Sequence, residues 1–269
     1  MSNLIVNPIE QVKAIDTAKP SYGFVSSQNI LDVFLSKGWT VEKTQVTPVR
    51  GNNKIGYQKH LVWLKNENFG LIPGLSKAND SIPRLCLVNS HDSSSSLMVF
   101  LGVLRIACLN QLSTGSVFRF FRAVHSKNIT DRVSQGVDFV TEGIPELIQG
   151  IQKLQSIQLN ESQRLEFAKI MINMRLETVK TVKSIDYSVV DRYLRGEDRS
   201  QDAYTVLNRV QEYVIRGGVP YSYERQVKDL NGTVIETRLV HTKTRRIASI
   251  PSQLKLNKAL FHNITKIGA

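Results

Sequence analysis

The stretch Leu85-Cys-Leu-Val-Asn-Ser-His-Asp-Ser-Ser-Ser-Ser-Leu-Met-Val-Phe-Leu-Gly-Val-Leu-Arg-Ile-Ala-Cys-Leu-Asn110 places two apolar, β-rich runs on either side of one polar turn that carries His91 and Asp92. It reads as the central hairpin of a sheet. The second run, Leu97 to Leu109, is apolar at odd and even positions alike, so its strand is covered on both faces and any polar side chain within it needs a partner. Arg105 is that side chain. It is either a buried arginine that fastens the sheet to a helix or an anion ligand, and an interior arginine without a structural partner would be very costly.

Ser26 or Ser27 can cap a helix that runs through about Ser36, with Ile30, Leu31, Phe34 and Leu35 on its apolar stripe and Gly38 placed to end it. Thr40–Val49 and Gln58–Lys65 alternate as strands, joined by Arg50-Gly-Asn-Asn-Lys-Ile-Gly56. With Leu85–Ser90 and Leu97–Leu109 they make a four-stranded, mostly antiparallel sheet, to which Ser116–Val124 adds a fifth strand. From Ser134 to Arg216 the pattern is helical: Asn160-Glu-Ser-Gln163 fits a capping box, and Leu165, Ala168, Met171, Ile172, Leu176 and Val179 follow at three- and four-residue spacing. A helix from about Arg199, with Tyr204, Leu207, Val210 and Val214 inward, stops at Gly217-Gly218. Tyr221 to His241 alternates again around Asn231-Gly232, which predicts a two-residue turn with Leu230 opposite Thr233. Ser252 caps a last helix containing Leu256, Leu260, Phe261 and Ile264.

The expected fold class is therefore α+β: an N-terminal helix plus antiparallel β-sheet, a central helical layer, and a C-terminal basic β-hairpin and helix. Its segments are an irregular arm over 1–25, a helix-plus-sheet half over 26–130, a helical half over 131–218 and the basic hairpin and helix over 219–269, packed as one compact unit. At 269 residues the chain buries enough surface to need no staple. Cys86 and Cys108 lie in apolar runs and are expected as reduced, buried thiols, and the lack of a signal-like or membrane-spanning run points to the cytoplasm.

The formal charge is +12, and the excess is C-terminal. Residues 1–150 hold 15 Lys and Arg against 11 Asp and Glu, a net of +4, whereas 151–269 hold 20 against 12, a net of +8. Beyond Glu236 there is no acid, while Arg238, Lys243, Arg245, Arg246, Lys255, Lys258 and Lys266 follow. A run of one sign attracts phosphate, whereas a surface kept for solubility mixes both. A second acid-free run, Ser93 to Thr130, interleaves Arg105, Arg119, Arg122 and Lys127 with Phe118, Phe120 and Phe121. Cations that track phosphates beside rings that stack on bases are what a single-strand groove uses; the competing reading of these phenylalanines is core.

The C-terminal hairpin is the sharper clue. The turn places Arg225 opposite Arg238, where like charges repel, with Tyr221 and Tyr223 on the same face. Either an anion relieves the pair or Asp229 and Glu236, on that face too, neutralise it. His91-Asp92 could begin a divalent-metal site, but His60, His125, His241 and His262 lack ligand spacing, and the pair reads as a structural turn in which the aspartate accepts backbone N–H bonds. Neither cysteine sits where a thiol would be reactive, and there is no Walker A or glycine-rich phosphate loop. No catalytic residue, metal or cofactor is expected.

Three blocks together, Asn89-Ser-His-Asp92 with Arg105-Ile-Ala-Cys-Leu-Asn110, Asn208-Arg-Val-Gln-Glu212 through Arg216-Gly-Gly218, and Thr244-Arg-Arg-Ile-Ala-Ser249 through Leu256-Asn-Lys-Ala-Leu260, resemble the phage- and plasmid-borne family catalogued as domain of unknown function 932. The resemblance covers roughly residues 25–265 and implies a mobile-element protein without an agreed activity. Ser93 departs from it, since a glycine is expected after the His-Asp pair, and this puts a tight turn there in question. The order of elements, a short helix ending in Lys37-Gly38-Trp39, antiparallel strands, then a long helix, also resembles the core of phage single-strand annealing proteins.

The expected function is sequence-tolerant binding of single-stranded DNA, or annealing, in recombination or replication of a mobile element. Arg119, Arg122, Arg225, Arg238, Lys243, Arg245 and Arg246 would track phosphates and Tyr223 would offer a ring. A host-interaction or anti-defence protein whose basic face engages a protein, and a metal-dependent nuclease, are the alternatives. Homo-oligomerisation, the choice between DNA and RNA, and any sequence preference are left open by the residues.

Overall fold

A computed structural model describes residues 7–18, 22–49, 52–69, 81–105, 110–113, 118–125 and 129–268. The chain divides into two compact units, residues 1–152 with 248–254, and residues 153–247 with 255–269. The fold is α+β, as the alternation of period-two and helical patterns predicts.

The first unit is built on an antiparallel sheet of six strands: β1 (Thr40–Val46), β2 (His60–Lys65), β3 (Ser81–Asn89), β4 (Leu97–Arg105), β5 (Asn110–Ser113) and β6 (Phe120–Ala123). The first four pair in sequence order, and β5 and β6 share the outer edge of β4, with β6 along Leu97–Phe100 and β5 along Gly102–Arg105. The predicted central hairpin is β3–β4. It starts earlier than its apolar pattern suggests, because Pro83, which cannot donate to a ladder, masks the first third of β3. Residues 106–109 of the second run, including Cys108, lie outside the described residues, as do Lys127 and the first residues of the proposed fifth strand.

Both faces of β4 are covered. On one, Leu61, Trp63, Cys86, Val88 and Phe100 form a buried cluster with Ile250, and Met98, Phe120 and Leu254 pack against it. On the other, Leu85, Leu87, Leu97, Val99, Leu101 and Val103 are fully buried. Helices α1 (Ser27–Ser36) and α2 (Ile129–Thr141) pack on each other, with Lys37 Nζ 2.7 Å from Asp138 Oδ1, and Gly136 of α2 lies over the ring of Phe121. Helix α3 (Ile144–Ser156) follows, and Gly150 on it faces the ring of Phe118.

In the second unit, α4 (Glu161–Leu176) starts with the predicted capping box, Asn160 and Gln163 each accepting the other's backbone N–H. Helix α5 (Ala203–Arg216) begins four residues later than the expected Arg199, where Asp202 accepts from Thr205 N and Thr205 Oγ1. It ends at Gly217, whose φ of 91° only glycine adopts freely and whose Cβ would sit 2.4 Å from the Thr244 carbonyl oxygen. A strand the sequence pattern hid, β7 (Val182–Ile185), joins β8 (Pro220–Lys228) and β9 (Val234–Lys243) in an antiparallel sheet of order β7-β8-β9. Helix α6 (Ile250–Ile267) starts two residues before the proposed cap Ser252.

Candidate nucleic-acid interface

Beyond the end of β7, the β8–β9 hairpin continues as a two-stranded arm from Glu224 to Leu239. Its turn differs from the expected one. Gly232 N donates to Asp229 O, Asp229 N donates to Thr233 O, and the Asp229 carboxylate accepts from Asn231 N and Thr233 N, so Leu230, Asn231 and Gly232 all lie in the turn. The extra turn residue is offset by a bulge between Val234 and Glu236, which restores the register, and Arg225 still falls opposite Arg238.

The two acids proposed to neutralise that pair behave differently. Asp229 is committed to the turn. Glu236 reaches Arg238 at 2.6 Å within the same strand, holding its own carboxyl below and the Arg238 guanidinium above their usual ranges. Arg225 is exposed and forms no ion pair with any described residue. Tyr221 and Tyr223 stack at 5.9 Å on the same face, two residues along from it. Lys243, Arg245 and Arg246 continue the exposed cationic run beyond the arm, and the Arg245 carbonyl accepts from Arg175 Nη2.

The earlier basic and aromatic run is placed otherwise. Arg119 lies between Glu142 Oε2 at 2.8 Å and Glu146 Oε1 at 3.0 Å, donates to Phe139 O, and stands over the Phe139 ring, so acids of its own unit compensate its charge. Arg122 is exposed on β6 and donates to Ser96 Oγ at 2.7 Å. Phe120 stacks toward Phe100, and Phe121 fills the space over Gly136, so neither is an outward ring.

His91 and Asp92 occupy the turn between β3 and β4. Asp92 Oδ1 accepts from Ser94 N at 3.1 Å, and the tight turn forms without glycine, Ser93 taking a φ of 57°. His91 itself is fully buried in a cluster that sequence spacing did not reveal. Ser27 Oγ lies 2.7 Å from His60 Nε2 and 3.1 Å from His91 Nε2, and accepts from Asn89 Nδ2 at 2.9 Å. Asn89 Oδ1 in turn accepts from His125 Nε2 at 2.7 Å and from Ser90 N. These bonds fix the tautomers. The Gln58 carbonyl can only accept from His60 Nδ1, so His60 Nε2 is a lone pair that takes the Ser27 proton. Ser27 has one proton to give, so His91 donates to it from Nε2. Burial pushes all three histidines down to about 4, His60 and His125 further depressing His91. The cluster is a neutral network that ties the first turn of α1 to the ends of β2 and β3, and it leaves the buried His91 Nδ1 without a hydrogen-bond partner among the described residues. Its one foreseeable signal is register: the β2–β3 ladder sets His60 directly opposite Asn89.

Two further polar networks have no counterpart in the sequence pattern. Arg84 holds Glu42 with two bonds of 2.9 and 2.7 Å inside the sheet of the first unit. In the second unit, Asn208, Arg209, Gln211 and Glu212 of α5 are buried; Arg209 donates to Asp198 O and Gln201 Oε1, and Glu212 takes Arg195 through both oxygens. Arg105 is buried, 1% exposed, at the end of β4 opposite Ser81. Among the described residues no three His, Cys, Asp or Glu side chains are gathered as a metal would need, and no helix is long and apolar enough to cross a membrane.

Comparison with known proteins gives one family. Its model, described as a domain of unknown function (DUF932), matches residues 14–260. The UPF0380 proteins YfjQ and YafZ of Escherichia coli (strain K12) are each 26% identical over 240 residues, covering 89% of this chain and 80% of the relative. No solved structure matches. These matches lend no support to the resemblance to single-strand annealing proteins.

Proposed function

The chain belongs to the DUF932 family, and from that premise we propose that it is a nucleic-acid-binding protein whose β8–β9 arm holds single-stranded DNA with little sequence preference. Membership supplies no activity, so the reading rests on the arm. The observation that carries it is the Arg225–Arg238 pair, two cations held opposite each other on an exposed ladder, with the nearest acids committed to the turn and to Arg238 alone. Phosphate relieves such a pair, and cations in line let a backbone be followed without reading bases. Tyr223 stands beside them on the same face. Service in recombination or replication of a mobile element extends this reading.

The test is binding of labelled single-stranded, double-stranded and RNA oligonucleotides across salt. If Arg225, Arg238, Lys243, Arg245 and Arg246 each meet a phosphate, log affinity for a single strand falls with log salt at a slope of about −3.5, roughly 100-fold between 50 and 200 mM. Arg225→Ala should lower affinity and flatten that slope by about 0.7 while leaving stability unchanged or slightly improved. No binding at low salt, or an Arg225→Ala variant indistinguishable from the wild type, would overturn the proposal.

A further inference from the structure

Strand β9 is an edge. In the order β7-β8-β9 its outer side has no partner strand among the described residues, and it runs for ten residues, Val234–Lys243. An edge of that length offers its backbone groups to any strand that fits. It also carries large apolar side chains in solvent: Ile235 is 65% exposed, Leu239 54% and Val234 43%. The sequence along this edge reads Val234-Ile235-Glu236-Thr237-Arg238-Leu239-Val240. It is a palindrome in chemical character, two apolar residues, an acid, a threonine, a base, two apolar residues.

We infer that β9 is the dimer interface of this protein, pairing antiparallel with β9 of a second copy about a two-fold axis at Thr237. In an isologous contact each residue meets its mirror position, and here the charged positions are complementary. Glu236 faces Arg238 of the second copy, a pair that occurs twice, and the bulge between Val234 and Glu236 bounds the regular ladder beyond it. Directly opposed residues share a face. Glu236 and Arg238 therefore form a four-membered ladder of alternating charge on the Arg225 face, and Leu239 lies on the other. A register centred on Arg238 would stack like charges, and one centred on Leu239 would leave Glu236 against Thr242, so charge selects a single register. The occupant is a second copy rather than an unrelated strand because the complement of this edge is the edge itself.

The experiment is the mass of the full chain in solution, by light scattering and sedimentation, without nucleic acid. The wild type should be a dimer. Arg238→Glu and Glu236→Arg, each alone, set like charges against like twice per interface and should weaken dimerisation roughly tenfold or more. The folding control is built in, because Arg238→Glu abolishes the Arg225–Arg238 repulsion within the arm, and circular dichroism should show it folded. Mixing the two single variants should restore association as a heterodimer, and combining both changes in one chain should restore the homodimer. A wild type that stays monomeric, a single reversal that leaves the mass unchanged, or a mixture that fails to associate would overturn the inference. These outcomes bear on association alone and leave the DNA-binding test to decide separately.

Discussion

Ser27 shows how far a single side chain can organise its surroundings. At the first turn of α1 a serine ordinarily points at the helix's own N–H groups, and here Ser26 stands at the cap position without making that bond while Ser27 turns into the sheet. One hydroxyl proton, two histidines and an amide then leave a single consistent arrangement of donors, and removing any member orphans a buried neighbour. Ser93 is a contrasting case, a residue that fits poorly. Its φ of 57° lies in the left-handed region that a side chain disfavours, in a turn otherwise held by Asp92. The departure from the family's pattern at this position was visible in the sequence; that the turn would persist and carry the strain itself was not. Ser93→Gly should therefore stabilise the protein by about 0.5–1 kcal/mol, the relieved strain exceeding the added freedom of the unfolded chain. Urea denaturation would show a higher midpoint with an unchanged slope; a lower midpoint would mean that Ser93 makes a contribution its backbone does not suggest.

At the level of elements, what could be read from the chain was what repeats. The β3–β4 hairpin, the capping box of α4, the glycine stop of α5 and the Arg225–Arg238 register all follow from periodicity or from turn chemistry. What could not be read depends on pairing between distant segments. Strand β7 is four residues long and means nothing until β8 lies beside it, and His60, His91 and His125 look scattered until the β2–β3 register and the β3–β4 turn bring them together. The Asn231-Gly232 turn came out one residue longer because the Asp229 carboxylate caps it, a side-chain bond that dipeptide preferences do not contain. Gly102 marks the same limit inside β4. Glycine weakens a strand by its propensity, so alanine would improve β4 taken alone. Packing decides otherwise, because a Cβ there would lie 2.5 Å from the Trp63 ring and 2.8 Å from Cys86 Sγ, both in the buried cluster. Gly102→Ala is expected to destabilise by about 1–3 kcal/mol, measurable as a lower midpoint in denaturant, and a neutral result would show that Trp63 can move.

On the scale of the molecule, charge and burial point to different pH behaviour. The basic excess lies in exposed lysines and arginines that stay charged over the accessible range, so it does not make folding pH-sensitive below neutrality. The histidine cluster does. Burial holds His60, His91 and His125 near 4, against an ordinary 6.5. Between those values the unfolded chain takes up a proton at each site and the folded chain does not. The sign follows from that difference: stability from the cluster is complete above pH 6.5 and is lost as the pH falls toward 4. Each histidine contributes a slope of about 1.4 kcal/mol per pH unit in that window, so three together reach about 4 kcal/mol per unit near pH 5. Denaturant unfolding at pH 7 and pH 5 should differ by several kcal/mol, while His125→Gln, whose amide can still donate to Asn89 Oδ1, should remove about a third of the slope and cost less stability at pH 7 than His125→Ala. Equal stability at the two pH values would mean that protonated histidines are accommodated, and the network around Ser27 would then be looser and wetter than its hydrogen bonds imply.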